Sequence, residues 1–296
     1  MKAGLFAIGV LVLMTSCKAG YGPLEDHSAF VSAQLAEDNR TIVFSAHRFA
    51  YRAATSWRAF PDGGIPDYVT DVNLLGVYDL QTRNVNIIRR EKNSEWQPDS
   101  GLFSILASKG SMALVSQGGQ LRGEPFRMEV KHFLIDFKTG NAEVLNLKAD
   151  LARYGREFGY IYLVNPDGTL VFVTMSQKEA QEYHSLNSSE YQNSGLVPEI
   201  WIRTVSGSYF KVASSAHYEC VRNGEVIYWE PSTRDFMAFS VINRTTRKDP
   251  TFKEPGYEDV TKGVILSSDR KALEYGDKVD GQWKYERLDL KPNLLK

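Results

Sequence analysis

A hairpin unit that recurs five times constrains the fold more than any other feature of this sequence. Each copy has an apolar run, a tight polar turn and a second apolar run. Asn-Gly and similar dipeptides tolerate positive φ, and such turns join antiparallel strands. The turns lie at Asn39-Arg40, Lys109-Gly110, Asp167-Gly168, Asn223-Gly224 and Asp269-Arg270. The chain therefore reads as a series of short strands, with no long helical periodicity after Phe30.

A second hairpin follows most copies of the first. Segments 74–91 and 132–147 share the frame apolar-x-Asp-apolar-x-Thr-x-Asn, and weaker versions follow the later copies. Two hairpins per unit make a four-stranded meander, and repeated meanders are typical of propellers. We expect an all-β fold, a β-propeller of about five four-stranded blades spanning residues 29–296. Six blades or an irregular β-sandwich are the alternatives.

Two segments carry a resemblance to a known repeat family. Asn165–Phe172 reads NPDGTLVF, and Ile135–Gly140 reads IDFKTG. Both resemble the inner and outer hairpins of TolB and WD-repeat-type propellers. The resemblance implies the fold and no particular activity. We also expect the N-terminal strand to close the ring by pairing into the last blade, because this would hide strand edges that otherwise promote aggregation.

The N-terminus has the features of an export signal. Lys2 precedes an uncharged apolar run, Leu5–Met14, which is too short to span a bilayer. Leu13–Cys17 resembles the lipobox of bacterial lipoproteins, although Met14 stands where that family usually has Leu. The resemblance implies a signal peptide at residues 1–16 and a diacylglycerol on the Cys17 thiol.

The lipobox resemblance also implies a location. Lys18 follows the cysteine, where Asp would favour retention in the inner membrane, so we expect a lipid-anchored protein of the outer membrane that faces the periplasm. Residues 17–28 are predicted to be the lipidated cysteine and a tether, because 18–28 is polar and contains Gly and Pro. The alternative is an ordinary secretory signal in which Cys17 is incidental.

Composition excludes several classes of function. The formal net charge is -1, so the whole chain has no positive field to attract nucleic acid. The two cysteines, Cys17 and Cys220, lie in no Cys/His cluster of metal-ligand spacing. We therefore predict no nucleic-acid partner, no metal site and no cofactor.

Three connections between second and third strands of a blade are long. They cover about 47–73, 118–130 and 177–198, and a propeller brings such connections to one face. The first mixes Arg with aromatic residues, which are enriched at binding hot spots. Its predicted partner-binding residues are Arg48, Tyr51, Arg52, Trp57, Arg58 and Phe60. A glycan ligand is an alternative, and so is a structural role in which the aromatic residues cover blade edges.

No motif for catalysis is present. The sequence has no GxSxG, HExxH or phosphate-binding glycine loop. A glycosidase needs two carboxylates near the propeller axis, and the predicted inner strands contain only Glu219. We expect no catalytic residues and a binding or assembly platform that engages an envelope protein. A glycan-binding or glycoside-hydrolysing surface lipoprotein is the alternative.

Overall fold

The computed structural model describes residues 21–54, 67–97, 100–123, 127–176, 178, 198–253, 262–279 and 282–289. The predicted signal peptide and Cys17 lie outside these ranges. Nearly all of the described regular structure is strand, in five antiparallel sheets. No helix within these ranges has the length and apolar character needed to cross a membrane.

Consecutive strands form each sheet. The first sheet contains β1 (Tyr21–Leu35), β2 (Thr41–Ala54), β3 (Asp67–Asp79) and β4 (Val85–Lys92). The second contains β5 (Leu102–Lys109), β6 (Met112–Gln120), β7 (Met128–Asp136) and β8 (Ala142–Leu145), and the short helix α1 (Leu147–Ala152) follows it.

The remaining sheets repeat the same meander. The third contains β9 (Arg156–Leu163), β10 (Leu170–Ser176), β11 (Glu199–Arg203) and β12 (Tyr209–Ala213). The fourth contains β13 (His217–Arg222), β14 (Glu225–Glu230), β15 (Asp235–Ser240) and β16 (Thr245–Lys248). The last described sheet has three strands, β17 (Lys262–Leu266), β18 (Ala272–Val279) and β19 (Gln282–Asp289).

Local turn chemistry explains why these hairpins form. Asn39, Gly110 and Gly168 have φ of 52°, 56° and 95°, as the predicted turns require. In the second hairpin of the first sheet, Asp79 Oδ1 accepts hydrogen bonds from the backbone N–H of Gln81 and Thr82, both at 2.8 Å. The shared Asp frame of the sequence is thus a side-chain device that fixes the turn.

The first strands of successive sheets lie side by side. Between β1 and β5, Ser32 Oγ accepts the N–H of Ile105 at 2.8 Å, and further along Lys109 forms a 3.0 Å ion pair with Glu37. The two strands therefore run in the same direction. Buried apolar clusters join sheets one and two, two and three, three and four, and five and one. This ring of meanders is a β-propeller, and the predicted fold is confirmed.

Closure of the ring differs from our expectation. β1 pairs with β2 inside the first sheet, and none of the described strands pairs with β1 from the last sheet. Side chains join the two sheets instead, since buried Leu273 packs in one cluster with Phe30 and Phe44. One backbone hydrogen bond, from the N–H of Phe30 to the carbonyl of Arg270 at 2.7 Å, adds to this contact.

The boundary between the predicted tether and the propeller also differs from the sequence analysis. The predicted tether, residues 17–28, is strand from Tyr21 onwards, because β1 pairs with β2 along its whole length. The propeller therefore begins eight residues before the predicted boundary at 29. The sequence analysis also did not predict α1, whose Leu147 and Leu151 are buried against the second and third sheets.

Candidate functional site

The three long connections leave the propeller at the same end. The first turns of neighbouring sheets meet at the opposite end, where a Cβ placed on Gly110 would lie 2.6 Å from Pro166 and one on Gly224 would lie 2.9 Å from Asn165 Oδ1. The ion pair between Glu37 and Lys109 joins the first two turns in the same way. In a meander the second connection of a sheet lies opposite its first. The strand ends that flank 55–66, 124–126 and 177–197 therefore share one face, which we call the insertion face.

The first sheet extends well beyond its own blade at the insertion face. Pairing of β3 with β4 ends at Val72 and Lys92, but β1, β2 and β3 continue together as three strands. We call residues 21–28, 48–54 and 67–72 the projecting sheet. At about 3.3 Å per residue it adds about 20 Å to the blade. The predicted loop at 47–73 is therefore largely strand, and only 55–66 lies outside the described residues.

One side of the projecting sheet carries a stack of rings. His27 lies 4.9 Å from Phe49 and 5.5 Å from Tyr51, measured between ring centroids. Phe49 also stacks on His47 at 5.2 Å, and all these ring pairs are within 21° of parallel. His27, His47 and Tyr51 therefore surround Phe49 as one set of nearly parallel rings.

The opposite side of the projecting sheet carries arginines. Arg48 donates from Nε and Nη2 to the two carboxylate oxygens of Asp26, at 3.0 and 2.6 Å. This hydrogen-bonded pair holds the pKa of Asp26 below its ordinary value. Arg52, four residues further along β2, is exposed and forms no ion pair with another described residue. Among the described residues of this side, Arg52 is therefore an exposed cation.

A buried polar network fixes the base of the projecting sheet. His47 Nε2 lies 2.7 Å from Asp71 Oδ1, and Asn93 Nδ2 donates to Asp71 Oδ2 at 3.0 Å. Asn93 also donates to the carbonyl of Ser100 at 2.7 Å, and Asn73 donates to the carbonyl of Gly101 at 3.0 Å. Hydrogen-bonded polar groups of this kind are rigid when they are buried. The network ties the first blade to the segment that enters the second.

The structure brings together half of the predicted partner-binding residues. Arg48, Tyr51 and Arg52 lie on β2 within the projecting sheet. Tyr51 donates its hydroxyl to Glu25 Oε2 at 2.8 Å, so both it and Arg48 are held by neighbours on β1. Trp57, Arg58 and Phe60 belong to 55–66 and lie outside the described residues, as does Cys17.

Sequence reasoning missed the β1 half of this site. Glu25, Asp26 and His27 were assigned to the tether, yet they pair across from Tyr51, Ala50 and Phe49. The alternation of side chains along 25–27 was the signal in the sequence that could have indicated a strand. Gly22 and Pro23, which favour a loop interpretation, precede them.

The inner strand β13 carries a carboxylate and a thiol that could be considered for catalysis. Glu219 and Cys220 lie side by side on the inner strand β13, and both are half-buried. Burial raises the pKa of the Cys220 thiol, which therefore stays protonated near neutral pH and is a poor nucleophile. Among the described residues, no three His, Cys, Asp or Glu side chains lie close enough together to hold a metal ion.

Comparisons with known proteins give distant structural similarities. No family model matches the chain, and no curated protein matches it in sequence. An oligogalacturonate lyase in complex with manganese is 15% identical with a TM-score of 0.35, over 92% of this chain and 67% of that one. The β-propeller domain of the Trilobed protease from Pyrococcus furiosus is 9% identical with a TM-score of 0.33, over 92% and 82%.

A prolyl endopeptidase structure is similar over a smaller share of its own length. It is 13% identical with a TM-score of 0.38, and the match covers 89% of this chain and 33% of the endopeptidase. At these identities and TM-scores, the assignment of the fold depends on the meander sheets of this chain and on the packing between them.

Proposed function

We propose that this chain is a lipid-anchored envelope protein whose propeller is a non-catalytic binding platform, and that the projecting sheet contacts a protein partner. The observation that carries the proposal is the length of β1, β2 and β3 beyond their blade. Among the described side chains of this extension, Val72 alone packs against the apolar cluster of the first blade. The extension does present a rigid surface at the face where the other two long connections emerge.

Rigidity makes this surface suited to binding. Side chains that are already held in place lose little conformational entropy when a partner docks. Asp26 holds Arg48, Glu25 holds Tyr51, and the buried Asp71 network holds the base. Arg and Tyr are enriched among the residues that dominate interface energies. Arg52 supplies an exposed charge beside them.

The position of the anchor narrows the kind of partner. β1 starts at the insertion face, and only Lys18, Ala19 and Gly20 separate Tyr21 from Cys17. Four residue steps reach at most about 14 Å. A lipid on Cys17 would therefore hold the projecting sheet close to the membrane surface. We propose that the partner is a membrane-associated envelope protein, with the chain on the periplasmic side of the outer membrane.

Two experiments test the proposal. Cys17→Ala should release the protein from the membrane fraction to the soluble fraction, and continued attachment would contradict the anchor. For the platform, a photo-crosslinking amino acid at Arg52 should give one discrete protein adduct in cells. The same group at Lys138, which is exposed in a turn at the opposite end, should give none. Equal labelling from both positions, or no adduct from Arg52, would contradict the platform.

A further inference from the structure

The second blade has an outer strand that covers only half of its neighbour. β7 runs from Met128 to Asp136, but β8 pairs only with His132–Ile135. After β8 the chain turns away into α1. Residues 128–131 therefore form an edge with no strand beside it among the described residues. Exposed strand edges of this kind are templates for pairing with another chain.

The direction of the backbone groups on this edge follows from the ladder. The N–H of Leu121 bonds to the carbonyl of Arg127 at 3.1 Å, so odd-numbered residues of β7 bond to β6. The N–H of Asp136 bonds outwards, to the carbonyl of Asn141 at 2.9 Å, which gives the same alternation. The N–H and carbonyl groups of Met128 and Val130 therefore point away from β6, towards the open edge.

A groove lies on each side of this edge. One, of about 450 Å³, is lined by Lys131, Phe133 and Val144, which share one side of the sheet, and by Trp96. The other, of about 750 Å³, is lined by Met128, Val130 and Leu145 from the opposite side, and Lys131 and Val144 line both grooves. Side chains of an added strand alternate between the two sides of a sheet, so they would enter the two grooves in turn.

The chemistry of the edge indicates what would bind there. Met128 and Val130 are 70% and 57% exposed, although a protected edge usually carries charge or proline at such positions. Five basic and three acidic side chains line the two grooves, which leaves an excess of positive charge. The basic ones are Arg89, Lys92, Arg127, Lys131 and Lys148.

We propose that residues 128–131 bind an extended acidic segment of a partner protein as an added strand of the second blade. Backbone hydrogen bonds to Met128 and Val130 supply affinity, and the two grooves select alternating side chains. The basic lining favours Glu or Asp in that segment. This surface is separate from the projecting sheet, and the inference does not depend on the proposed function.

The test uses the full chain and a fluorescein-labelled peptide of about eight residues in which Glu and Val alternate. A peptide with Lys in place of Glu is the charge control. Val130→Pro removes the outward N–H of residue 130 but no bond to β6, and proline is tolerated on strand edges. Val130→Thr, which keeps that N–H and the branched side chain, is the matched variant. Fluorescence anisotropy measures the dissociation constant for each pair.

We expect saturable binding of the Glu peptide by the wild-type protein and by Val130→Thr, with dissociation constants within about threefold of each other. Val130→Pro should weaken binding by about tenfold or more, and the Lys peptide should bind more weakly than the Glu peptide. Amide hydrogen exchange gives a readout that needs no variant, because the N–H groups of Met128 and Val130 should become protected when the Glu peptide is added.

Several results would overturn the inference. These are the absence of binding at about 1 mM peptide, equal affinity for Val130→Pro, or equal or tighter binding of the Lys peptide. Unprotected amides at Met128 and Val130 in the presence of bound peptide would also overturn it. A concentration-dependent dimer that protects these amides without peptide would assign the edge to a second copy of the chain instead.

Discussion

His47 Nε2 lies 2.7 Å from Asp71 Oδ1, and both side chains are more than nine-tenths buried. The same carboxylate accepts a hydrogen bond from Asn93, so one acid satisfies two buried donors. A second acid–base pair, Asp26 with Arg48, lies on the same projecting sheet, but its carboxylate is 42% exposed. The two pairs allow the contributions of a buried and an exposed pair to stability to be compared within the projecting sheet.

Asp71→Ala should lower the free energy of unfolding by about 2–4 kcal/mol, because it removes the buried carboxylate that binds both His47 and Asn93. Asp26→Ala should cost less than about 1 kcal/mol, since water replaces the lost partner of an exposed pair. Urea denaturation of the two variants measures the difference. Equal losses would show that the buried network does not support the projecting sheet.

Gly101→Ala should be among the most damaging single substitutions. Gly101 has φ of +66°, and an added Cβ would lie 2.1 Å from Cγ of Trp96, whose side chain is buried. We expect a loss of at least about 3 kcal/mol from strain and overpacking. Gly123→Ala is the control, since Gly123 has φ of +77° and a Cβ there would meet no described atom within 4 Å.

Gly123→Ala should lower the free energy of unfolding by about 1 kcal/mol, because only the positive-φ backbone conformation disfavours alanine there. Guanidinium denaturation, followed by the fluorescence of the tryptophans and by near-ultraviolet circular dichroism, compares the variants. If Gly101→Ala lowers the free energy of unfolding no more than Gly123→Ala does, then Trp96 does not pack against residue 101 as described.

Asp79 should show an acid-shifted titration that depends on Arg40. Arg40 Nε donates to Asp79 Oδ2 at 2.9 Å, and this bond together with the N–H groups of Thr82 and Gln81 lowers the pKa of Asp79 from 3.8 to about 2. Arg40→Gln should raise that pKa towards its ordinary value. Carboxyl-carbon NMR measures it, and Asp136, in the equivalent turn of the second blade, should titrate unchanged.

The effect of this pair on stability has a defined pH window. Because the pKa of Asp79 is lower in the folded state, the pair stabilises the protein above about pH 4, and the contribution is lost as the pH falls towards about 2. The difference in stability between wild type and Arg40→Gln should therefore shrink across that window. A difference that stays constant with pH would contradict the assignment.

Local chemistry explains which parts of the fold the sequence predicted. Turn positions depend on residues such as Asn39, Gly110 and Gly168, whose tolerance of positive φ does not depend on the rest of the fold. The carboxylate of Asp79 accepts hydrogen bonds from backbone N–H groups no more than three residues away. The five meanders could therefore be found from spacing alone, and the conclusion that three connections share one face followed from them.

Features that depend on distant partners were not predictable. The alternation of His47, Phe49 and Tyr51 with arginines is typical of a strand, but the pairing partner of that strand lay in 21–28, where Gly22 and Pro23 favoured a tether. The buried contact of Asp71 with His47 joins residues 24 positions apart. The six-residue helix α1 is too short for its apolar spacing to stand out.

Closure of the ring by side-chain packing leads to a last prediction. The final sheet, β17–β19, gains no described strand from the N-terminus, and buried Leu273 is the centre of its apolar contact with Phe30 and Phe44, beside the backbone hydrogen bond from Phe30 to Arg270. Leu273→Ala removes buried methyl groups at this junction and should cost about 2–5 kcal/mol. Because the junction lies at the end of the chain of blades, we expect the loss to be local.

Native-state hydrogen exchange distinguishes local opening from global unfolding. In Leu273→Ala, amides of β17–β19 should exchange faster while those of β6 and β10 keep their protection. Leu134→Ala is the matched control, since Leu134 packs between the second and third blades, and its loss should weaken both interior sheets. If Leu273→Ala instead speeds exchange equally in every blade, the last sheet is not an independently opening unit, and the ring unfolds as one cooperative structure whichever junction is weakened.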